Sequence, residues 1–293
     1  MLRLLALLCL LSISTVTLAA DPTHVLIVVG PTNHPPGTHE VTASAKLMAH
    51  CLEHADNVKD IKTTVVTEWP SEALRQTADT IVFSGDTFPP HRMGETQQKL
   101  NDLKIMMDRG CGIVCIHYAT GILGTDVGPD GDHPLLHWMG GYFANKTCAH
   151  HQGIARVFKE AAINPTSTRH AILQGWQPFT LHDEPYINNY FGPNNNQPAD
   201  NVTILATSML PPEAPKVEPV AWCIERPDSG RGYAIVMPHF YKNWSDDNLR
   251  TFILNGIVWS AKREVPEAGV KSTITDLTLF EPASVNVVPK RPN

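Results

Sequence analysis

The feature that most constrains the fold is a series of short β-branched runs that alternate with helical segments in the first 120 residues. The first run, residues 24–30, contains five consecutive Val, Leu or Ile residues and closes with glycine, which is typical of a strand buried on both faces. Further strands are predicted over 61–67, 80–84 and 113–116, and helices over 40–55 and 94–108. This β-α-β-β-α-β order predicts an α/β fold with a doubly wound, mostly parallel sheet.

Beyond about residue 125 the sequence changes to short extended segments separated by loops rich in proline and asparagine. The extended segments are predicted over 155–159, 179–182, 202–208, 220–225 and 233–237. A last amphipathic helix is predicted over 246–261, because apolar residues recur there at helical spacing. Residues 264–293 have no helical period, so we expect one α/β domain over 21–263 followed by an extended C-terminal tail.

The first 20 residues are predicted to be a secretory signal peptide. A positive start precedes the apolar run 4–11, and small residues follow up to Ala19 and Ala20. The run is shorter than the ~20 residues that cross a membrane, so we expect no stable membrane span. The chain is therefore predicted to be exported, to a periplasm or to the outside of the cell, and a retained anchor is the alternative.

Charge indicates which partners the chain can bind, and cysteine content indicates whether disulfides hold the fold together. The 23 basic and 29 acidic residues give a net charge of −6, which excludes the basic footprint of a nucleic-acid-binding protein. Five cysteines follow the leader without any CxxC pair, so we expect buried thiols rather than a disulfide framework. The 14 histidines indicate titration or metal chemistry. The expected partner is a small molecule, and a homo-oligomer is left open.

Histidines and a carboxylate stand where the predicted strands end. His34 and His39 follow the first strand, Asp86 follows the third, and His117 follows the fourth. In open α/β sheets, ligands bind beyond the carboxyl ends of the strands, at the crevice where the strand order reverses. We therefore expect these side chains to converge, with His117 presented by a strand-to-helix elbow as a base or a metal ligand.

Three later groups could converge on the same place: His150 with His151, Asp183 with Glu184 and Tyr186, and finally His239. Adjacent residues of a strand face opposite sides, so one of His150 and His151 is expected to enter the site. Three or more histidines with a carboxylate are ordinary ligands of a divalent transition metal with an open position. Because the sequence contains no HExxH or other compact ligand pair, this metal site is predicted from convergence alone.

Six stretches, in order along the chain, carry a family resemblance: 30–40, 116–119, 140–143, 183–186, 226–232 with 238–240, and 254–259 with 265–266. Together they resemble the ThuA-like family, the trehalose-utilisation proteins. The resemblance implies a flavodoxin-like, class I glutamine amidotransferase-like three-layer sandwich, which agrees with the doubly wound prediction. It also implies work on carbohydrates, often oxidised (3-keto) sugars and glycosides.

The resemblance also bears on individual residues. The polar positions of the family correspond here to His34, His39, His117, one of His150 and His151, Asp183, Glu184 and His239. His117 stands where an amidotransferase carries its nucleophilic cysteine, so glutaminase activity is not expected. Pro35 and Pro36 replace the glycine expected in the first loop, which stiffens or re-aims His34.

The leading hypothesis is an exported, metal-assisted enzyme that performs lyase, hydrolase or isomerase chemistry on a sugar or 3-keto-glycoside. Its divalent ion, zinc or similar, would be held by His34, His39, His117, His151 and His239. His117 itself, Asp183, Glu184 and Tyr186 are the predicted catalytic residues. Either Asp183 or Glu184 would be the general base, since a one-residue shift in the strand exchanges them.

The substrate-binding residues of this hypothesis are Asp86, Tyr118, His150 and Trp244. The alternative is a sugar-binding module of the same fold without turnover, in which Trp138, Trp176, Trp222 and Trp244 stack on pyranose faces. A structural or partner-binding role ranks last, because it leaves the strand-end histidines unexplained.

Overall fold

The computed structural model describes residues 21–274 and 276–280. The predicted signal peptide, residues 1–20, lies outside the described residues, as does the tail from 281 to 293.

The first half of the described chain alternates strands and helices, as the sequence predicts. The elements are β1 (Thr23–Val29), α1 (Val41–Glu53), β2 (Ile61–Val66), α2 (Glu72–Thr77), β3 (Thr80–Ser84), α3 (Thr96–Asp108) and β4 (Gly112–Ile116). A 3-10 turn, His117–Thr120, follows β4 directly. Gly110, with a φ of +80°, ends α3 in the left-handed conformation that glycine adopts without strain.

The second half is richer in strands. Its elements are β5 (Gly121–Ile122), α4 (Pro134–Met139), β6 (Phe143–Ala144), β7 (Phe158–Pro165), β8 (Phe179–Asp183), β9 (Val202–Leu210), β10 (Lys216–Glu225), β11 (Arg231–Ile235) and α5 (Asp247–Ser260). Asp246 caps α5, because its carboxylate accepts the backbone N–H groups of Asn248 and Leu249. In the part of the chain that the structure describes, no helix is long and apolar enough to cross a membrane.

Nine of the described strands form one sheet in the order β2-β1-β3-β4-β11-β10-β9-β7-β8. The first five strands of this order, β2, β1, β3, β4 and β11, run parallel to one another. The remaining four, β10, β9, β7 and β8, continue the sheet through antiparallel pairings. The predicted doubly wound, mostly parallel α/β sandwich is therefore confirmed. The chain passes from β1 to β2 on one side and returns to β3 on the other, so the strand order reverses between β1 and β3.

The core lies on both faces of the parallel strands. Every residue of β1 and β4 is buried, which explains their continuous apolar sequences. One face of α1 packs on the sheet through residues such as Met48 and Leu52, and nearly the whole of α5 is enclosed. The five cysteines of the described residues are buried and unpaired, as expected from their spacing.

Two local elements differ from the sequence-based predictions. The segment predicted over 155–159 is strand only from Phe158 onward, because pairing with β8 begins there. The short helix α2 is not predicted from sequence; Ser71 caps it, and none of its residues is buried. Residues 264–274, here called the C-terminal strap, cross α5 without regular structure, and Val270 N–H donates to the buried Asn255 side chain over 2.8 Å.

Candidate functional site

Five chain segments meet above the carboxyl ends of β1, β3, β4, β8 and β11. The loop after β1 carries His34 and His39, and Asp86 follows β3. His117 is the first residue beyond β4 and His239 lies four residues beyond β11. These strand ends include the point between β1 and β3 where the strand order reverses, which is where ligands bind in this class of sheet.

His39, His117 and His239, here called the histidine cluster, point one ring nitrogen each at a common centre. His39 Nε2 lies 2.9 Å from His239 Nδ1 and 3.0 Å from His117 Nε2, and the third side of the triangle is 3.2 Å. All three residues are buried. His117 has a φ of +48°, a left-handed conformation that is strained for a residue with a Cβ, so the elbow holds this ring in place.

The other ring nitrogens fix the tautomers. His117 Nδ1 lies 2.9 Å from the carbonyl oxygen of Val236, and since a carbonyl only accepts, Nδ1 carries the proton. His39 Nδ1 donates to the Asp86 carboxylate. In both neutral imidazoles the Nε2 lone pair therefore faces the centre of the cluster, where the two lone pairs oppose each other across 3.0 Å.

This donor set fits a divalent transition metal. Neutral imidazole is the form that binds metal, and metal–nitrogen bonds of about 2.05 Å place two ligand atoms about 2.9 Å apart at a right angle and about 3.3 Å apart in a tetrahedron. The three observed distances, 2.9, 3.0 and 3.2 Å, lie in or close to this range. Ligating histidines commonly donate their second N–H to a carboxylate or carbonyl, as His39 and His117 do here.

Burial keeps the cluster neutral. Burial first, and then the neighbouring His39 and His239, lower the pKa of His117 well below its ordinary value. Burial together with His39 and His34 lowers the pKa of His239 to about 3. Burial also lowers the pKa of His39, although its hydrogen bond with Asp86 opposes the shift. All three imidazoles are thus neutral at neutral pH, and those of His39 and His117 present their Nε2 lone pairs to the centre.

Asp86 holds two imidazoles at once. One carboxylate oxygen accepts from His39 Nδ1, and the other accepts from His34 Nδ1 over 2.7 Å and from Asn33 N–H over 2.9 Å. Although burial opposes the shift, these hydrogen bonds hold the pKa of Asp86 far below its ordinary range. His34 stacks on His39 with ring centroids 3.6 Å apart, so it lies beside the cluster and orients it rather than completing its triangle.

Glu184 and Tyr186 reach the cluster from the segment after β8. Glu184 Oε2 lies 3.2 Å from His239 Nδ1, and burial together with Asp183 raises the pKa of Glu184 to about 7. The buried Tyr186 hydroxyl lies 3.2 Å from His117 Nε2, and its ring is sandwiched between His117 and Phe143. Four residues, His39, His117, Glu184 and His239, offer ligand atoms within 4.8 Å of one another.

Asp183 faces away from the centre of the cluster. It is fully buried, and its Oδ1 accepts backbone N–H groups from Glu184 and His239 over 2.8 Å each and from Phe240 over 3.3 Å. Burial raises the pKa of Asp183 to about 6 against these hydrogen bonds. Of the two carboxylates that the sequence leaves as alternatives, Glu184 is the one placed at the cluster, and Asp183 braces the backbone that carries His239.

Of the residues predicted to bind or stack on the substrate, Tyr118 lies at the cluster and three of the four tryptophans are buried in the core. Tyr118 lies at the cluster, with its ring 5.7 Å from that of His39, and its hydroxyl accepts from Asn145. Trp244 is buried and shows no open face for a sugar, and Trp176 and Trp222 are also buried. The stacking role that the sequence suggests for these three rings therefore does not fit the structure.

His150 and His151 do not reach the cluster, contrary to the sequence-based expectation. His150 Nε2 lies 2.8 Å from the Tyr142 hydroxyl, and His151 Nε2 lies 2.7 Å from the carbonyl oxygen of Asn188. The segment between β6 and β7 packs both rings against Tyr190 instead. Two partners of the site residues are not predicted from sequence: the Val236 carbonyl, which accepts from His117, and Asn145, which donates to the Tyr118 hydroxyl. Backbone groups and a single amide form no recognisable sequence pattern.

A family model described as ThuA, trehalose utilisation, matches residues 24–260 of this chain. A search of curated proteins finds no match. Among solved structures, a ThuA-like protein from Parabacteroides merdae shares 16% identity with a TM-score of 0.54, and the alignment covers 86% of this chain and 98% of that one. A ThuA-like protein from Bacteroides uniformis shares 14% identity with a TM-score of 0.59, covering 88% and 98% respectively.

A third structure of similar fold is Agd3, described as a carbohydrate deacetylase. It shares 13% identity with a TM-score of 0.50, and the alignment covers 82% of this chain but 32% of Agd3. At these identities the three structures support the fold alone. The evidence for a family relationship is the match to the family model.

Proposed function

This chain belongs to the ThuA family, and on that premise we propose that it is an exported carbohydrate-processing enzyme whose histidine cluster holds a divalent metal ion. Its substrates would be neutral sugars or 3-keto-glycosides, and its chemistry proton transfer of the lyase, hydrolase or isomerase kind. The description of the family as trehalose utilisation supports the substrate class. A carbohydrate deacetylase among proteins of similar fold is consistent with it.

One observation carries the metal proposal: two buried imidazole lone pairs oppose each other across 3.0 Å, with His239 Nδ1 completing the triangle. A cation at the centre would accept both lone pairs at once, whereas without one their partners are the Tyr186 hydroxyl, 3.2 Å from His117 Nε2, and a proton on His239 Nδ1. A divalent ion bound there would supply a Lewis acid that polarises a sugar carbonyl or hydroxyl. Zinc or a similar transition metal suits three nitrogen ligands.

The residues around the cluster have distinct roles in this proposal. Asp86 fixes the tautomer and the angle of the His39 ring through Nδ1. Glu184, with a pKa raised to about 7, is suited to accept a proton from a carbon next to a carbonyl, or from water, and to return it to the product. Burial raises the pKa of Tyr186 well above its ordinary value, so its hydroxyl stays protonated and donates to a substrate oxygen.

The test is the metal content of the tag-free mature protein, measured by mass spectrometry. We expect near-stoichiometric metal in the wild type and its loss in both His117→Ala and His239→Ala. His151→Ala is the matched control, because His151 bonds to Asn188 outside the cluster, and it should retain metal. Circular dichroism should show all four proteins folded.

Wild-type protein that binds none of zinc, manganese, cobalt, nickel or iron after reconstitution would overturn the metal proposal. For the base, Glu184→Gln should keep its metal and lose at least about 100-fold in turnover of a 3-keto-glucoside. Full activity in Glu184→Gln would remove Glu184 from the mechanism.

A further inference from the structure

A cavity of about 500 Å³ opens at the same end of the sheet as the histidine cluster. It is here called the Trp69 cleft, and its polar and aromatic lining residues are Thr32, Thr42, Thr67, Glu68, Trp69 and Arg92. We propose that the Trp69 cleft binds the second ring of a neutral disaccharide or glycoside whose reacting ring lies at the histidine cluster. This inference rests on the proposed function, since it extends the same substrate site.

The loop after β1 is a wall shared by the cluster and the cleft. Pro31 and Thr32 line the cleft, whereas His34 and His39 of the same loop bind Asp86. Asp86 also ties the loop down, because its N–H donates to the Pro31 carbonyl over 3.0 Å and its carboxylate accepts from Asn33. Val41, just after this loop, lines both the Trp69 cleft and the space beside His39 and His117, so the two sites adjoin.

The charges of the cleft suit a ligand with both hydrogen-bond donors and acceptors. Arg92 is held from behind, since Nε donates to Thr87 over 2.7 Å and Nη2 donates to Asp126, and its Nη1 has no partner among the described residues. Glu68 is exposed and makes no hydrogen bond or ion pair within the described part of the chain. The two opposite charges thus line one cleft without pairing to each other.

A pair of neighbouring sugar hydroxyls can donate to a carboxylate and accept from a guanidinium at the same time. Trp69 adds an apolar wall, held by its indole N–H donating to Asp102 over 2.9 Å. The cleft volume falls in the range of about 300–1,000 Å³ that small-molecule sites occupy. Since Asp126 already balances the charge of Arg92, the carboxylate of Glu68 leaves the lining negative, and a neutral ring fits better than a phosphorylated or acidic sugar.

The test compares calorimetric affinities for α,α-trehalose and for methyl α-D-glucopyranoside, which has one ring. We expect wild-type protein to bind trehalose at least about tenfold more tightly, because the second ring adds hydrogen bonds in the cleft. Glu68→Gln should weaken trehalose binding about threefold to tenfold and leave the one-ring sugar unchanged. Thr42→Trp, which fills the cleft, should abolish the preference. Glu160→Gln, an exposed position on β7, is the matched control and should behave as wild type.

Equal affinity for the two sugars, no binding of either, or the same loss of both in Glu68→Gln would overturn the inference. The metal measurement described above is independent of these affinities. A protein without metal that still prefers trehalose through the cleft would refute the metal proposal and leave the subsite standing.

Discussion

Asp183 provides the sharpest test of how the site is built. If Asp183 braces the chain that carries His239, then Asp183→Ala should destabilise the fold and Asp183→Asn should not. An asparagine keeps a side-chain oxygen in place of Oδ1, which accepts from Glu184, His239 and Phe240. The other oxygen, Oδ2, is buried without a hydrogen-bond partner among the described residues, so its replacement breaks no bond.

The magnitude follows from the three N–H groups that alanine would leave without an acceptor. The two hydrogen bonds of 2.8 Å are worth about 1.5 kcal/mol each and the longer one, of 3.3 Å, about 0.5 kcal/mol. Asp183→Ala should therefore cost about 3–4 kcal/mol, which lowers the melting temperature by roughly 10 °C in a domain of this size. Asp183→Asn should stay within about 1 kcal/mol of wild type.

The assay is thermal unfolding followed by circular dichroism, with Glu184→Ala as the matched control. The Glu184 carboxylate approaches His239 Nδ1 and accepts no backbone N–H in the described chain, so its removal should change the melting temperature by less than about 3 °C. The reasoning would be refuted if Asp183→Ala melted with the wild type, or if Asp183→Asn were as unstable as Asp183→Ala. Loss of turnover in Asp183→Asn with unchanged stability would instead make Asp183 the base.

Three further predictions need no substrate. Burial and then His91 lower the pKa of His133 to about 3, so its contribution to stability is complete above pH ~6.5 and is lost as the pH falls from there toward 3. Urea titrations should show wild type losing stability over this window more steeply than His133→Asn, and parallel curves would contradict the assignment. Asn255→Ala should cost about 2–4 kcal/mol, because Asn255 binds three backbone groups. It should also loosen the C-terminal strap, so that trypsin cleaves faster at the exposed Lys271; resistance equal to wild type would count against this anchor. The five described cysteines are buried, so Ellman's reagent should label them in the mature chain only after denaturation, and rapid native labelling would show an exposed thiol.

The parts of the fold that follow from sequence are those where one physical requirement dominates. β3 is predicted to the residue because Thr80–Ser84 is buried throughout and bounded by Asp79 on one side and Gly85 on the other. α2 is missed because its six residues are all at least partly exposed and so carry no apolar period. The first residues of β10 are missed for the same reason, since Lys216 and Val217 lie on the exposed part of the hairpin with β9.

The site is predictable in the same uneven way. The strand-end rule locates His39, His117 and His239, because the carboxyl ends of parallel strands share one edge. It cannot locate His150 and His151, whose positions depend on packing against Tyr190 in an irregular segment. The alternation of β8, with Phe179, Leu181 and Asp183 buried, contains the signal that turns Asp183 inward, but it requires the register of the strand to be known.

The residues of the histidine cluster are far apart in sequence, so the cluster forms only when the fold is complete. His39 and His117 are 78 residues apart, and His39 and His239 are 200 residues apart. Their strands, β1, β4 and β11, join one sheet through β3, so the three nitrogens converge only after the most distant pairings of the chain have formed. Long-range pairings of this kind are the slow part of folding. Any ligand that requires all three nitrogens therefore binds the finished fold and stabilises it over every shorter or partly assembled form, by mass action alone.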